Sequence, residues 1–339
     1  MYGGDYTVVK VAVVGVGNMG KNHTRVYSEI KNAELVAVAD IDPKAAKEIA
    51  ERFNINWYSS HLELLKNEVS DAVSVATPTA THYNVCTDIL GSGKHVLVEK
   101  PIAVTQEQAK KMISIANNNE VILMVGHIER FNPAVLKLKE MIDANTLGDL
   151  VSLSAKRAGL YCPSGRAIFD VVLDFAIHDI DVMRYLIGHK VKSVYSKTLS
   201  KLLNLTDYVS AILEFENGVY GIIESNLFTP KKIRAMHITG TKGYAEMDFI
   251  NQDLELYGNL TSMEFRNYED QILQYSNTVI GRPYIPKNEP LKIELEHFLD
   301  CIAKKKTPIT SGEEGKKNLQ IAQMILMSAK ENKPVNLLK

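Results

Sequence analysis

A run of valines followed by three closely spaced glycines most strongly limits what this chain can fold into. The stretch KVAVVGVGNMG, residues 10–20, has the apolar character of a buried strand and ends in a glycine-rich turn. A helical pattern follows, which gives the strand, turn and helix order of a nucleotide-binding loop. Glycines also cluster in turns for conformational reasons alone, so the interpretation depends on the sequence around them.

Strands and helices alternate over the first 126 residues. The apolar runs ELVAVAD, DAVSVAT, KHVLVEKP and VILMVGH follow the first strand, and amphipathic segments such as PKAAKEIAERFN lie between them. Strands that are apolar on both faces and joined by helices form a parallel sheet covered on both sides. We therefore predict an α/β fold with a doubly wound parallel sheet of the Rossmann type for residues 1–126.

The second half of the chain has a strand pattern of period two. The stretch YVSAILEFENGVYGIIES alternates apolar and polar residues and turns at Asn217–Gly218, a strong hairpin signal. The stretch KIRAMHITGTKGYAEMDF repeats this arrangement. We predict an α+β domain with a large, mostly antiparallel open sheet for residues 127–339. Its last helix begins after a cap signal at Ser311 and can pack back on the first domain.

Composition excludes several classes of function. The formal net charge is −1, and 23% of the 339 residues are charged, so nucleic acid is not an expected partner. We find neither a signal peptide nor an apolar run long enough to span a membrane, and we expect a soluble cytoplasmic protein. Cys86, Cys162 and Cys301 lie far apart without a C-x-x-C pair, so we predict neither a disulfide framework nor a metal site.

An acidic residue after the second predicted strand indicates which dinucleotide is bound. Asp40 lies twenty residues after Gly20, where a carboxylate accepts hydrogen bonds from a ribose diol and repels a 2′-phosphate. Ile41 stands where an NADP enzyme often has arginine, so the sequence favours NAD over NADP. In the loop itself we expect the cofactor to contact Gly15, Gly17, Asn18, Met19 and Gly20.

Two further loops follow strands at the edge of the predicted sheet where ligands bind. They are ATPTATH, residues 76–82, and EKPI, residues 99–102. From spacing alone, ordinary surface charges are an equally good interpretation of the Glu-Lys pair. The cofactor contacts that we predict in these loops are Thr77, Pro78, Thr79, His82, Glu99 and Lys100.

The stretch FDVVLDFAIHDIDVMRYL predicts an apolar helix with a narrow polar stripe. Asp174, His178, Asp181 and Tyr185 fall on one face of an α-helix. Such a stripe faces water, or it needs polar partners or a ligand. A metal bound by Asp174 and His178 is not favoured, because no further cluster of ligands supports it.

In its motifs and their order, the chain resembles the Gfo/Idh/MocA family of sugar and polyol dehydrogenases. The motifs are VGVGNMG, ADIDP, ATPTATH, GKHVLVEKP, VGHIERFNPAV and LDFAIHDIDVMRYLIG, which span nearly the whole chain. The resemblance implies an NAD-dependent oxidoreductase in which Lys100 is the active-site lysine. It implies that Asp174 and His178 are the acid and the histidine of the catalytic motif. It also implies a homodimer or homotetramer with contacts through the open sheet.

These three residues suit the oxidation of a secondary alcohol. A proton must leave oxygen as hydride leaves carbon, and histidine can take a proton near neutral pH. Asp174 can orient His178 or bind a neighbouring hydroxyl, and Lys100 can stabilise the charge that develops on oxygen. All three are therefore predicted substrate contacts, and the sequence leaves open whether Lys100 or His178 is the formal base.

The stretch VGHIERFNPAV is most similar to the family branch that oxidises the 3-hydroxyl of UDP-N-acetylglucosamine or its uronic acid. Arg157 and Arg166 offer two guanidinium groups for a diphosphate or carboxylate, and pairing with carboxylates of the protein is the alternative. Phe169–Asp170 stand where many members have Gly-Gly, which disfavours inositol and glucose substrates. Other possibilities are a free-sugar or inositol dehydrogenase, an NAD-dependent glycosidase of this family and a non-catalytic sensor.

Overall fold

A computed structural model describes residues 7–160, 170–202, 204–258 and 280–337. The chain divides into two compact units. The first unit comprises Met1–Phe131 and Asn288–Gln320, and the second comprises Asn132–Lys287 and Ile321–Lys339. In the described residues, no helix is long and apolar enough to cross a membrane.

The first unit contains a parallel sheet with the strand order β3-β2-β1-β4-β5-β6 in its described part. This order confirms the predicted doubly wound Rossmann arrangement. The short strand β3 is absent from the sequence prediction. The elements are β1 Val9–Val14, α1 Asn18–Glu29, β2 Ala33–Ala39, α2 Pro43–Phe53, β3 Asn56–Tyr58, α3 His61–Asn67, β4 Ala72–Val75, α4 Thr79–Gly91, β5 His95–Glu99, α5 Gln106–Asn118 and β6 Leu123–Gly126.

Local sequence signals explain where these helices begin. The Asp42 carboxylate accepts hydrogen bonds from two N–H groups in the first turn of α2, and Pro43 is the first residue of that helix. Thr105 and Gln108 form a reciprocal capping box at the start of α5. All residues of strands β4 and β6 are buried, as expected for a sheet covered by helices on both faces.

Residues 288–320 complete the first unit, although the sequence analysis places them in the second domain. They include α8, Pro290–Lys304, and the start of α9, Gly312–Glu331. Helix α8 buries Leu295 and Phe298 in the same apolar core as Val26 and Tyr27 of α1. The predicted domain of residues 127–339 is therefore not one of the two compact units.

A buried arginine strengthens this attachment. Arg130 lies in the 3₁₀ turn Ile128–Phe131 and donates to the carbonyl oxygen of Ile309 at 2.7 Å and to the Glu314 carboxylate at 3.1 Å. Removal of one partner from a buried ion pair is strongly destabilising, because the other charge stays buried. The start of α9 is thus bound to the 3₁₀ turn Ile128–Phe131, at the end of the first segment of this unit.

The second unit contains a nine-stranded sheet in its described part, with the order β14-β13-β12-β11-β7-β10-β9-β8-β15. All pairs are antiparallel except β7 with β10, which confirms the predicted mostly antiparallel sheet. The elements are α6 Pro133–Asp143, β7 Leu150–Ala158, a π-helical turn Val172–Ala176, α7 Ile177–Ile187, β8 Val191–Leu199, β9 Tyr208–Phe215, β10 Tyr220–Asn226, β11 Ile233–Gly240, β12 Gly243–Asp248, β13 Asp253–Gly258, β14 Ile280–Gly281 and β15 Val335–Asn336.

The hairpin between β9 and β10 has the predicted turn. Gly218 has a φ of +82°, a conformation that glycine adopts without strain. The Phe215 N–H donates to the Val219 carbonyl at 2.9 Å and closes the turn. One face of the sheet packs on α6, the π-helical turn and α7 in a shared apolar core. Helix α7 is thereby held against the sheet.

Candidate active site

The glycine loop, residues 15–20, is shaped by close backbone contacts. Gly15 has a φ of +88°, and a Cβ atom there would lie 2.8 Å from the Ala76 carbonyl group. A Cβ atom on Gly20 would lie only 1.7 Å from the carbonyl oxygen of Gly15. Helix α1 therefore approaches the end of β1 so closely that no side chain fits between them.

Gly17 differs from these two glycines because it borders open space. A Cβ atom on Gly17 would meet no atom within 4 Å. Gly17 is the N-cap of α1, no side chain caps the helix, and its first turn contains no acidic residue. The N–H groups of such a helix end attract anions. The loop with Gly17, Asn18 and Met19 thus fits the pyrophosphate of a dinucleotide.

The Asp40 carboxylate is fixed beside this loop. Its Oδ2 accepts a hydrogen bond from the Val16 N–H at 2.7 Å, and its Oδ1 accepts one from the Asp42 N–H at 2.9 Å. A carboxylate has about four acceptor positions, so two backbone bonds leave capacity for ribose hydroxyls. Ile41 is 93% exposed and places no positive charge here. The geometry fits an adenosine ribose without a 2′-phosphate.

His82 holds the two predicted loops of the first unit together. Its Nδ1 lies 3.0 Å from the Pro101 carbonyl oxygen, and its Nε2 lies 2.9 Å from the Thr77 carbonyl oxygen. Burial lowers the pKa of His82 below its usual range, although these hydrogen bonds oppose the shift. Pro78 and Thr79 lie at the start of α4, between Thr77 and His82. The imidazole therefore contacts the protein on both sides and orients the loop around Thr77.

Glu99 is the last residue of β5, and Lys100 follows it. His23 Nε2 lies 3.0 Å from Glu99 Oε1, and both side chains are buried. Burial alone would raise the pKa of the Glu99 carboxyl group, but the His23 hydrogen bond and the charges of His23, Lys100 and His82 lower it below its usual range. Lys100 is partly exposed, and its peptide bond to Pro101 is cis.

Asp174 and His178 belong to the second unit and lie on one continuous helical segment. Asp174 is in the π-helical turn, and His178 is the second residue of α7. Both side chains are partly exposed, whereas Asp181, predicted on the same stripe, is buried. A π-helical turn contains an extra residue, so the polar positions do not follow the α-helical spacing that the sequence analysis assumes.

Asp170 fixes the start of this segment. Its Oδ1 accepts a hydrogen bond from the Val172 N–H at 2.8 Å. Burial raises the pKa of the Asp170 carboxyl group, against the hydrogen bonds from Thr206 and Val172. The Asp170 carboxylate therefore bonds to the backbone two residues later, at the start of the π-helical turn that contains Asp174.

Arg157 is bound to a carboxylate of the protein, which is the alternative considered for it in the sequence. Its Nε lies 3.1 Å from both Asp179 carboxylate oxygens, and its Nη2 lies 3.0 Å from Oδ1. Arg157 is 3% exposed, and its guanidinium lies over the Phe249 ring at 5.1 Å. This bidentate pair connects β7 to α7, so Arg157 supports the helix of Asp174 and His178.

Arg166 lies outside the described residues, as do Cys162 and Phe169. Cys86 and Cys301 are buried free thiols. In the described ranges, no group of three or more His, Cys, Asp or Glu side chains is arranged to bind a metal ion.

Comparison with known proteins identifies the family. Residues 9–127 match the oxidoreductase family Gfo/Idh/MocA in its NAD-binding Rossmann domain, and residues 139–337 match that family's C-terminal α/β domain. The rhizopine catabolism protein MocA of Rhizobium meliloti is 31% identical over 72% of this chain and 79% of its own length.

Two dehydrogenases match over nearly their full length. UDP-N-acetylglucosamine 3-dehydrogenase of Acidithiobacillus ferrooxidans is 28% identical over 94% of this chain and 96% of its own. Its solved structure covers 95% of this chain and 98% of its own with a TM-score of 0.83 and 27% identity. The scyllo-inositol 2-dehydrogenase (NAD(+)) of Bacillus subtilis is 27% identical over 97% of this chain and 96% of its own.

The surroundings of Gly17 and Gly20 predict that alanine impairs NAD binding at the first position and protein stability at the second. Gly17→Ala should change the free energy of unfolding by less than about 1 kcal/mol, because the methyl group enters open space, and should weaken NAD binding about tenfold or more. Gly20→Ala should lower stability by about 1–3 kcal/mol, because its methyl group overlaps the Gly15 carbonyl. Urea unfolding and calorimetric titration with NAD measure both effects. If Gly17→Ala binds NAD as tightly as the native protein does, the glycine loop is not the pyrophosphate site.

The buried Arg157–Asp179 pair predicts a strongly non-additive double variant. Arg157→Met alone should lower stability by about 3–5 kcal/mol, because it removes the guanidinium that accompanies the buried Asp179 charge. The double variant, Arg157→Met with Asp179→Leu, should have a free energy of unfolding close to that of the native protein, because an apolar pair can replace a buried ion pair. Denaturant unfolding of Arg157→Met, Asp179→Leu and the double variant provides the test. Additive losses would show that the two side chains act independently.

Proposed function

We propose that this chain, which belongs to the Gfo/Idh/MocA family of oxidoreductases with an NAD-binding Rossmann domain, is a sugar-nucleotide dehydrogenase. It oxidises the 3-hydroxyl of UDP-N-acetylglucosamine, or of its uronic acid, to a 3-keto sugar nucleotide. The observation that carries this substrate is the similarity to a UDP-N-acetylglucosamine 3-dehydrogenase over 94% of this chain. We also propose that the enzyme acts in the cytoplasm.

The first unit supplies the cofactor site. When bound, NAD supplies the acceptor for the hydride that leaves the sugar carbon. Gly15, Gly17 and Gly20 shape the cradle, with Asn18 and Met19 at its helix end. The carboxylate of Asp40 binds the ribose hydroxyls. Thr77, Pro78 and Thr79 line the loop that His82 orients.

Three side chains, Lys100, Asp174 and His178, act on the hydroxyl group of the substrate. Loss of hydride from carbon and of a proton from oxygen turns the C–OH group into a C=O group. One of His178 and Lys100 accepts the hydroxyl proton, and the other stabilises the negative charge that develops on the oxygen. Asp174 orients His178 or accepts a hydrogen bond from a neighbouring hydroxyl, and the bond between Asp170 and the Val172 N–H fixes the start of their helical segment.

The diphosphate of the substrate requires cationic or N–H groups outside this set. Arg157 is engaged by Asp179, so we assign it to the support of α7. Arg166 is the candidate for the diphosphate or carboxylate, because guanidinium binds either group in a bidentate manner.

A second candidate function is inositol oxidation. It is favoured by the similarity to a scyllo-inositol 2-dehydrogenase over 97% of this chain. The chemistry at the hydroxyl is the same in both cases, so the two functions differ in what binds beside the reacting ring. An NAD-dependent glycosidase would also use this oxidation, but it would return the hydride in each cycle and accumulate no NADH.

The deciding measurement is NADH formation at 340 nm with purified protein and NAD. UDP-N-acetylglucosamine, its uronic acid, scyllo-inositol and myo-inositol are compared in this way. A parallel run with each adds 2-oxoglutarate, which takes the hydride from retained NADH and becomes 2-hydroxyglutarate, so the oxidised substrate and 2-hydroxyglutarate are measured there instead of absorbance. We expect turnover of the sugar nucleotide and at least about tenfold lower kcat/KM for the inositols. Turnover of an inositol alone would replace the first function with the second.

Lys100→Met is the matched variant for this assay. Methionine retains most of the length of the side chain but lacks the ammonium group, so NAD binding should stay within about threefold while kcat falls by about 10²-fold or more. Turnover equal to that of the native protein would remove Lys100 from the proposed chemistry. Loss of NAD affinity would instead place its role at the cofactor.

The sheet of the second unit also supports a homo-oligomer. Tyr195, Ile212 and Ile222 are cross-strand neighbours on β8, β9 and β10 and lie on the face opposite the helices. They are 38%, 45% and 41% exposed in the single chain. An apolar strip of this kind is typical of an interface between protein surfaces. We therefore propose a homodimer or homotetramer that buries this face.

Ile222→Lys should dissociate the oligomer, because it places a charge within the apolar strip. Light scattering after gel filtration should give a dimer or tetramer for the native protein and a monomer for the variant. Ile250→Lys is the control, because Ile250 is 47% exposed and lies in the turn after β12, away from the strip. A monomeric native protein, or an unchanged oligomer in Ile222→Lys, would contradict the interface.

A further inference from the structure

Two ionisable side chains meet in the interior of the first unit. His23 is fully buried and Glu99 is 9% exposed, and Nε2 of His23 lies 3.0 Å from Oε1 of Glu99. Burying such groups is unfavourable unless they satisfy each other. Replacement of a buried ion pair by an apolar pair of similar volume is often neutral or stabilising, so such a pair is weak evidence for a stabilising role. The pair therefore calls for an explanation other than stability.

The position of the pair suggests that explanation. His23 lies on α1, three residues after Gly20, so it is part of the helix that begins at the glycine loop. Glu99 ends β5 and directly precedes Lys100. The hydrogen bond therefore connects the helix of the cofactor cradle to the strand end that carries the proposed catalytic lysine.

The neighbouring strand leaves room for this carboxylate. Gly126 of β6 is the register partner of Glu99 in the sheet, and a Cβ atom on Gly126 would lie 3.1 Å from Glu99 Oε2. One carboxylate oxygen thus faces His23, and the other lies close to Gly126. The Glu99 side chain is confined between α1 and β6, and with it the backbone that enters Lys100.

We propose that His23 and Glu99 are a positioning pair that fixes the Lys100 amino group relative to the glycine loop. Neither side chain needs to contact the substrate or the cofactor for this role. The inference rests on the proposed function, because that function makes Lys100 catalytic. It reassigns Glu99 from a predicted cofactor contact to a residue that acts through its neighbour.

Three variants on α1 separate positioning from simple stability. His23→Leu removes the donor, whereas the amide nitrogen of His23→Gln can occupy the place of Nε2 and restore the bond. Tyr27→Phe is the control: Tyr27 is equally buried on the same helix, and its hydroxyl lies 2.8 Å from Ser74 Oγ of β4. His23→Leu and Tyr27→Phe should both lower the melting temperature.

The first readout needs no substrate. Acetylation of lysines by a limiting amount of acetic anhydride is followed by mass spectrometry, with Lys21 and Lys31 as internal references. In His23→Leu the labelling rate of Lys100 should change by about fivefold or more relative to these references, because its surroundings are no longer fixed. It should return to within about twofold of the native rate in His23→Gln and stay unchanged in Tyr27→Phe.

The second readout is kinetic. With UDP-N-acetylglucosamine, His23→Leu should lower kcat by about 10-fold to 100-fold, as expected for a displaced catalytic group. KM and the Kd for NAD should stay within about threefold, because binding groups are untouched. His23→Gln should recover most of the loss.

A purely structural role would give a different pattern. If His23→Leu lowers the melting temperature but leaves Lys100 labelling like that of Tyr27→Phe, the proposal is overturned. If His23→Leu does not fold, Glu99→Met retains most of the length of the side chain but removes the acceptor for His23 Nε2, and unchanged Lys100 labelling in that variant overturns the proposal as well. Failure of the native protein to oxidise UDP-N-acetylglucosamine would instead refute the proposed function, and native turnover in Lys100→Met would remove Lys100 from its chemistry, while the labelling comparison would still test the positioning pair.

Discussion

The arrangement of the first unit depends on how closely α1 approaches the end of β1. The absence of a side chain on Gly20 lets the helix backbone meet the Gly15 carbonyl, and this sets where the helix begins. Its uncapped first turn then borders the open space at Gly17, with the Asp40 carboxylate bound to Val16 beside it. Further along the same helix, His23 reaches Glu99. One steric constraint thus places the proposed anion site beside Asp40 and brings α1 to Glu99, the last residue before Lys100.

In the second unit, charged side chains fix the helix that carries Asp174 and His178. A helix that presents Asp174 and His178 must also pack against a sheet, and burial of its polar residues is unfavourable without partners. Arg157 and Asp179 satisfy each other between β7 and α7, and Asp170 satisfies an N–H at the start of the π-helical turn. Asp174 and His178 stay partly exposed on this helical segment. In both units, the buried polar residues orient the groups that are proposed to meet the substrate.

Much of the fold follows from sequence pattern, because strand and helix periodicities and turn glycines are local signals. The strands of the parallel sheet, the hairpin at Gly218, the family and the NAD-binding class are all confirmed. Strand β3 is too short and polar to give a signal. An amphipathic pattern shows that α8 has a buried face but not which core receives it. Likewise, contacts such as His23 with Glu99 join residues far apart in sequence, and the roles proposed for the site residues stay predictions.

The discontinuity of the first unit has a consequence for how the protein is made. A ribosome releases residues 1–131 well before residues 288–320, with a delay on the order of ten seconds or more at ordinary rates of translation. During that interval the surface of α1 that will meet Leu295 and Phe298 has no cover. The nascent chain therefore carries an apolar patch until its own distant segment arrives. Chaperones that bind exposed apolar surface would be expected to act on this chain during synthesis, before the cofactor can contribute to its stability.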